Sequence, residues 1–219
     1  MMKTNLKLAA ASLITLAALS ACGGDSGSDN STGNQNQSSN ISTLPVESLN
    51  ADEQASLLYM REEEKLAYDV YIKFNTQWGG STQTFGNISN SEAKHQDAVY
   101  ELLVRNNLPD AAAALPAGVF NNTKLQNLYT QLVNTGAASL VDALKVGAAI
   151  EEIDIIDIQN DLTKVDNQDI RLVYENLMKG SRNHLRAFVK NLATQGVTYV
   201  PQYMPQSDYQ AIINSPTEN

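Results

Sequence analysis

From Asn50 onward, apolar residues recur every three or four positions in several long segments and no comparable segment alternates strictly, so the spacing predicts an all-α domain. The first helix is expected to begin at Asn50, whose side chain can cap it while Glu53 completes a capping box, and to end before Gly79-Gly80. The second is expected from Ser89, with Glu92 three residues later, to about Asn107, ahead of Leu108-Pro109. Residues 108 to 138 form a long connection that holds Ala111 to Ala114 and two prolines. Within it Leu125, Leu128, Leu132 and Val133 predict a short amphipathic helix from about Asn122 to Asn134, ending at Gly136. Ser139, with Asp142, caps a third long helix running to about Lys164, and Asp166 or Asn167 opens a fourth that continues to about Gln195. Gly180 inside it marks a kink or a point of close packing. The tail from Gly196, with Pro201 and Pro205, reads as a strap rather than a helix. This order is that of a four-helix bundle in which helices one and two, and three and four, run antiparallel, with a long helix two to helix three crossover containing the short extra helix.

Polar residues interrupt the apolar stripes. On helix one the stripe runs Leu57, Met60, Ala67, Tyr71 and Phe74, and its missing step is Glu64. On helix two it runs Val99, Leu102 and Asn106, and the same steps taken backwards reach His95 and Glu92. Helix three gives Leu144, Ala148, Ile155, Ile158 and Leu162, completed by Glu151, with Asp154 one turn on and Glu152 next door. Helix four gives Ile170, Val173, Leu177, Phe188 and Leu192, with Ser181 and His184 between. A carboxylate taken out of water costs several kcal/mol, so three unpaired ones rival a whole stability of about 5 to 15 kcal/mol. Bound cations compensate directly, and carboxylates with imidazoles suit iron, manganese or zinc.

Each of these residues also has a plainer reading. Glu92 can be the third residue of a Ser89 capping box. Glu62, Glu63 and Glu64 can be a solvated charge run, as Glu63 with Arg61 and Lys65 nearby reads, although Glu64 alone falls on the stripe. Glu151 and Glu152 compete for one inward direction, with Glu151 preferred. A lone histidine is more often a satisfied core residue than a ligand, but His95 and His184 are the only two and both fall inward. Tyr68, Tyr71, Tyr100 and Tyr174 read as packing residues with a hydrogen-bonded tip.

The N-terminus changes the setting. Lys3 and Lys7 precede an apolar stretch from Leu8 to Leu19 that ends in Leu19-Ser20-Ala21-Cys22, the pattern of a signal peptide over residues 1–21. Small residues before that cysteine resemble the bacterial lipoprotein box, which implies a lipid anchor on Cys22, the only cysteine in the chain. Gly23 after it leans the resemblance towards an outer-membrane destination facing the periplasm. Residues 22–45, beginning with the lipidated cysteine and rich in Gly, Ser, Asn, Asp and Gln, are expected to form a disordered tether, leaving 46–204 for the bundle and 205–219 for a tail. Removing Lys3 and Lys7 takes the formal charge from -9 to -11, which disfavours nucleic acid as a partner. With 219 residues, the chain suits one well-buried domain.

Glu64, Glu92-Ala-Lys-His95, Glu151 and His184 together resemble the ferritin-like superfamily of dinuclear metal proteins, whose pattern is Glu, Glu-x-x-His, Glu, Glu-x-x-His across four helices. The departure is Ser181, which stands where the last motif has a carboxylate. Arg61-Glu62-Glu63-Glu64-Lys65-Leu66-Ala67 and the run Gly180-Ser181-Arg182-Asn183-His184-Leu185-Arg186-Ala187-Phe188 also look like a bacterial and archaeal ferritin-like domain family of unknown function, the DUF2202 type. The resemblance covers about residues 48 to 204 and implies two metal ions, iron first and manganese or zinc as alternatives. Glu64 and Glu151 would be terminal ligands, Glu92 a bridge, and His95 and His184 one imidazole per ion. It leaves open a di-iron oxidoreductase acting with dioxygen or peroxide, a non-enzymatic metal-sequestering module, and a metal-free envelope interaction protein. Assembly is open too, with a monomer or dimer suiting the tether.

Overall fold

A computed structural model describes residues 41–219. The signal peptide, Cys22 and most of the expected tether lie outside the described residues. Six helices and no strand are present among the described residues: α1 Ala51–Trp78, α2 Thr84–Arg105, α3 Thr123–Gly136, α4 Leu140–Leu162, α5 Gln168–Thr194 and α6 Gln206–Ile213. None of them is long and apolar enough to cross a membrane.

Local chemistry sets most of the boundaries. Asn50 and Glu53 exchange side-chain bonds with each other's backbone N–H, each at 2.9 Å, so α1 opens on the expected capping box. Asn122 accepts from the N–H groups of Lys124 and Leu125 to start α3, and Ser139 accepts from Asp142 N–H to start α4. Two expectations fail. α2 begins at Thr84, one turn and more before Ser89, so Glu92 lies well inside the helix and caps nothing. Gly86 favours a break when read alone, but a Cβ there would come 3.0 Å from Asn75 Oδ1, so close approach to α1 accounts for it. The tail is not only a strap, because α6 follows Pro205, with Tyr209 and Ile212 buried.

Pairwise contacts fix the topology. Along α1 and α2 the pairs Glu64/His95 and Arg61/Gln96 run in opposite numerical senses, as do Gly147/Phe188, Glu151/His184 and Asp154/Ser181 along α4 and α5. Tyr71/Glu151, Tyr59/Asp157 and Ser56/Asp161 place α4 antiparallel to α1, and His95/His184 with Arg105/Asp169 place α5 antiparallel to α2. Helices α2 and α4 therefore run parallel, and the chain between them must travel the length of the molecule. At about 1.5 Å rise per residue, α4 alone is about 35 Å long, which is why that connection is long and carries α3.

The crossover is fastened to α1 by groups that look like a surface charge run in sequence. Lys65 Nζ lies 2.5 Å from Asp69 Oδ2, donates to Pro116 O at 3.0 Å, and sits 4.6 Å from the Phe120 ring centre. Asn122 N–H donates to Glu62 Oε2 at 3.1 Å, and Arg61 pairs with Asp110 at 3.0 Å. Glu62, Glu63 and Lys65 are all buried, contrary to the solvated reading, because the crossover covers that face of α1. At the other end of the domain, Ile41 is buried and Arg105 reaches Leu44 O, so packing begins inside the segment assigned to the tether.

The interior has two hydrocarbon regions. One gathers Tyr71, Phe74, Phe85, Leu144 and Phe188; the other gathers Leu57, Met60, Val99, Leu102, Ile158 and Tyr174. Glu64, Glu92, His95, Glu151, Ser181 and His184 fall between the residues named for the two regions on their helices, forming a polar layer.

Candidate metal centre

Four helices supply that layer. Glu64 comes from α1, Glu92 and His95 from α2, Glu151 from α4 and His184 from α5, and all five are buried. Glu92 and His95 meet because residues three apart share a helix face. His95 Nδ1 lies 2.8 Å from Glu92 Oε2 and 3.3 Å from Glu64 Oε2. His184 Nδ1 lies 2.8 Å from Glu92 Oε1 and 3.5 Å from Glu151 Oε2. Two three-residue groups result, Glu64 with Glu92 and His95, and Glu92 with Glu151 and His184, with one oxygen of Glu92 turned to each.

These distances alone would allow hydrogen bonds, but neither histidine Nδ1 has a hydrogen-bond partner, and neither do Glu64 Oε1 and Glu92 Oε1. The ring N–H directions miss the carboxylate oxygens. Buried donor atoms brought together in this way without bonding one another could hold a metal ion. Around an ion with bond lengths of about 2.0–2.2 Å, neighbouring donor atoms stand about 2.8 to 3.6 Å apart from octahedral to tetrahedral geometry, and the four distances of 2.8 to 3.5 Å fall in that range. Buried groups without partners are costly, and a cation in each group would satisfy all four orphan atoms.

Neighbouring residues hold the set in place. Tyr71 donates its hydroxyl proton to Glu151 Oε1 at 2.5 Å, an orientation that packing alone would not supply. Tyr174 exchanges a bond with Ser56 at 2.7 Å, whereas Tyr100 is exposed with the Arg61 guanidinium 6.0 Å from its ring centre, so the expected burial of the tyrosines holds for only some of them. The His95 and His184 rings stack with centres 5.5 Å apart. Gly180 is a close-packing point, since a Cβ there would lie 2.6 Å from His95 Nε2.

Charge accounts for the protonation of the metal-free layer. Burial alone pushes the Glu92 carboxyl up, but the His95 and His184 imidazoles beside it pull it well below its ordinary range. Burial works against the His184 proton too, and the Glu92 and Glu151 carboxylates outweigh it, raising that imidazole to about 10. His95 is raised for the same reasons, by Glu92 and Glu64. Burial raises Glu64 and Glu151, with Asp154 adding repulsion at Glu64 and His184 offsetting part of the effect at Glu151.

Glu152 takes a different path from its neighbour. It is fully buried and accepts from the Tyr199 hydroxyl at 2.6 Å and from the backbone N–H groups of Gln202, Tyr203 and Met204, tying the strap to α4. Two further carboxylates border the layer. Glu63 is buried with neither oxygen hydrogen-bonded in directional geometry, although Asp157 is near enough to perturb it, and Asp154 accepts a bond from Ser181. Glu63, Glu64 and Asp154, with Ala67, Leu128 and Ile150, line a cleft beside the layer with room for about one water-sized molecule.

A family model described as "Uncharacterized protein domain (DUF2202)" matches residues 53–216. The chain belongs to this family. Uncharacterized protein MJ0754 of Methanocaldococcus jannaschii is 51% identical over 178 residues, 81% of this chain and 95% of that protein. The crystal structure of hypothetical protein MJ0754 from Methanococcus jannaschii DSM 2661 has a TM-score of 0.77 at 50% identity, covering 80% of this chain and 99% of that one. The matched DUF2202 segment contains every residue of the polar layer and reaches past α6, so the helical tail belongs to the domain, while Ile41 and Leu44 lie ahead of it.

Proposed function

We propose that this DUF2202 domain is a ferritin-like four-helix bundle that binds two divalent metal ions, iron foremost, and acts as an oxidoreductase on dioxygen or peroxide. The observation that carries the reading is the pair of buried three-residue groups sharing Glu92, in which the Nδ1 atom of each imidazole lacks a hydrogen-bond partner. Glu64 and His95 would hold one ion, Glu151 and His184 the other, and Glu92 would bridge them. Iron(II) held there would supply the electrons that reduce the oxidant, one from each ion as it becomes iron(III). The residues of the chain do the rest. Carboxylates from separate helices can change how they bind as the charge on the centre changes, Tyr71 fixes Glu151, and the hydrocarbon regions on either side keep bulk water away. The narrow cleft at Glu63, Glu64 and Asp154 suits an oxidant of a few atoms. The lipid anchor on Cys22 would place this chemistry on a membrane of the cell envelope.

Metal analysis of protein purified without a histidine tag, followed by anaerobic iron(II) loading and exposure to oxygen, tests the reading. Two equivalents per chain with oxygen consumed and iron(III) formed are expected. Two equivalents that stay redox-silent would assign the domain to metal sequestration instead, and a protein that takes up no metal would end the proposal.

A further inference from the structure

The two three-residue groups share Glu92, so five residues face two ion positions with three protein ligands each, which leaves every ion at least one position for water, oxidant or a further side chain. A further carboxylate stands in the same layer. Asp154 lies one turn beyond Glu151 on α4 and is only 7% exposed. Its Oδ2 accepts a bond from the Ser181 hydroxyl of α5, and its Oδ1 is buried without any hydrogen-bond partner. Ser181 is itself fully buried and stands one turn before His184, on the face that points into the layer. Asp154 also lines the cleft next to Glu64. It belongs to neither three-residue group in the metal-free arrangement.

The contact with Ser181 explains how a carboxylate on α4 can serve a position on α5. Ser181 Oγ is one bond from its Cβ, and the oxygen it touches is one hydrogen bond further. The Asp154 carboxylate therefore fills the volume that the acidic group of a longer side chain at position 181 would occupy. That volume has space for one carboxylate, since a second anion there would meet the first at contact distance in a dry interior.

We propose that Asp154 is the sixth protein ligand of the centre, giving Oδ1 to a divalent cation while the Ser181 hydroxyl steadies Oδ2, so that α4 supplies the carboxylate that α5 lacks. This rests on the metal-centre reading above. Ser181 is then a positioning residue, and the D154A/S181E exchange should move the carboxylate from one helix to the other without changing the number of ions held.

Cobalt(II) titration of the tag-free full chain, followed by its visible absorption, tests the proposal because the spectrum reports coordination as well as amount. Wild-type protein is expected to take two equivalents. D154N keeps the side-chain shape and should weaken one of them about tenfold or more and change its spectrum. S181E alone should weaken it likewise, and D154A/S181E should recover the second equivalent. Two equivalents bound by D154N with wild-type affinity and spectrum would overturn the assignment of Asp154 while leaving the centre standing. A double variant that stays folded by circular dichroism yet fails to recover the second equivalent would overturn the exchange. Wild-type protein that binds no cobalt would overturn the metal reading and this inference with it.

Discussion

Glu92 lies 2.8 Å from the Nδ1 atom of each of two imidazoles, and against the effect of burial their positive charge pulls its carboxyl well below the ordinary range. His184 keeps its proton up to about 10, against an ordinary value of 6.5. A group that binds its proton more tightly folded than unfolded stabilises the fold fully below its unfolded value and loses that contribution as pH rises through its folded one. For His184 that window runs from about 6.5 to about 10. Glu64 and Glu151 are also raised, so they act in the same sense from lower pH, while Glu92 is lowered and its contribution is lost only in acid. Metal-free protein should therefore become less stable as pH climbs through the His184 window, and metal-loaded protein, in which ions replace the protons, should change far less. Thermal unfolding of both forms across the window checks this; a metal-free melting temperature that rises with pH would contradict it. Tyr71→Phe removes only the hydroxyl that steadies Glu151. It should weaken metal binding about tenfold or more, read by competition with a chelator, and cost the metal-free fold about 1 kcal/mol.

At the scale of elements, Glu151 and Glu152 show what a helix does with adjacent residues. A step of about 100° along α4 sends Glu151 to His184 and Glu152 to the Tyr199–Met204 strap. Glu152→Ala should leave the metal content intact and lower stability by about 2 to 4 kcal/mol, because several buried donors lose their acceptor. Glu151→Ala should do the reverse, losing one equivalent of metal with a smaller change in urea unfolding. Gly180 is a second such test: in Gly180→Ala the new methyl meets the His95 ring, so the centre should lose affinity on the His95 side while the helix content stays the same. The sequence made much of this legible. Periodicity carries the long helices, the Asn50/Glu53 box gives the start of α1, and polar gaps in the stripes lead to the five residues that converge. What it could not show depends on segments that arrive from far along the chain. Burial of Glu62 and Lys65 needs the crossover, the role of Glu152 needs a strap about fifty residues away, and the Asp154 to Ser181 contact needs two helices in register. Glu92 offered a ready capping role because Ser89 three residues before it resembles a helix start, whereas α2 begins at Thr84 with no side-chain cap.

Across the whole molecule, the polar layer is where the four long helices have the least reason to stay together without a cation. Hydrocarbon on either side of it holds the helices by burial, but the layer itself packs Glu64, Glu92, Glu151 and Asp154 against only two imidazoles. Two positive charges among four carboxyl groups leave the rest to be protonated or to repel, and each ionised group left unpaired in the interior costs several kcal/mol. Each ion that binds only the folded chain adds its binding free energy to the stability, about 2.7 kcal/mol when free metal is a hundred times the dissociation constant. For a domain of this size that is a rise of about 5 to 11 °C in melting temperature for each ion. Stripping the ions with chelator should lower the melting temperature by that order and returning them should restore it. Because the two groups together draw on all four long helices and share Glu92, the effect should appear in the single cooperative transition rather than as a separate early step. His184→Ala removes one imidazole and leaves Glu92 and Glu151 without it, so it should halve the rise on metal addition; a variant whose melting temperature still rises as far as wild type would show that the ions bind elsewhere.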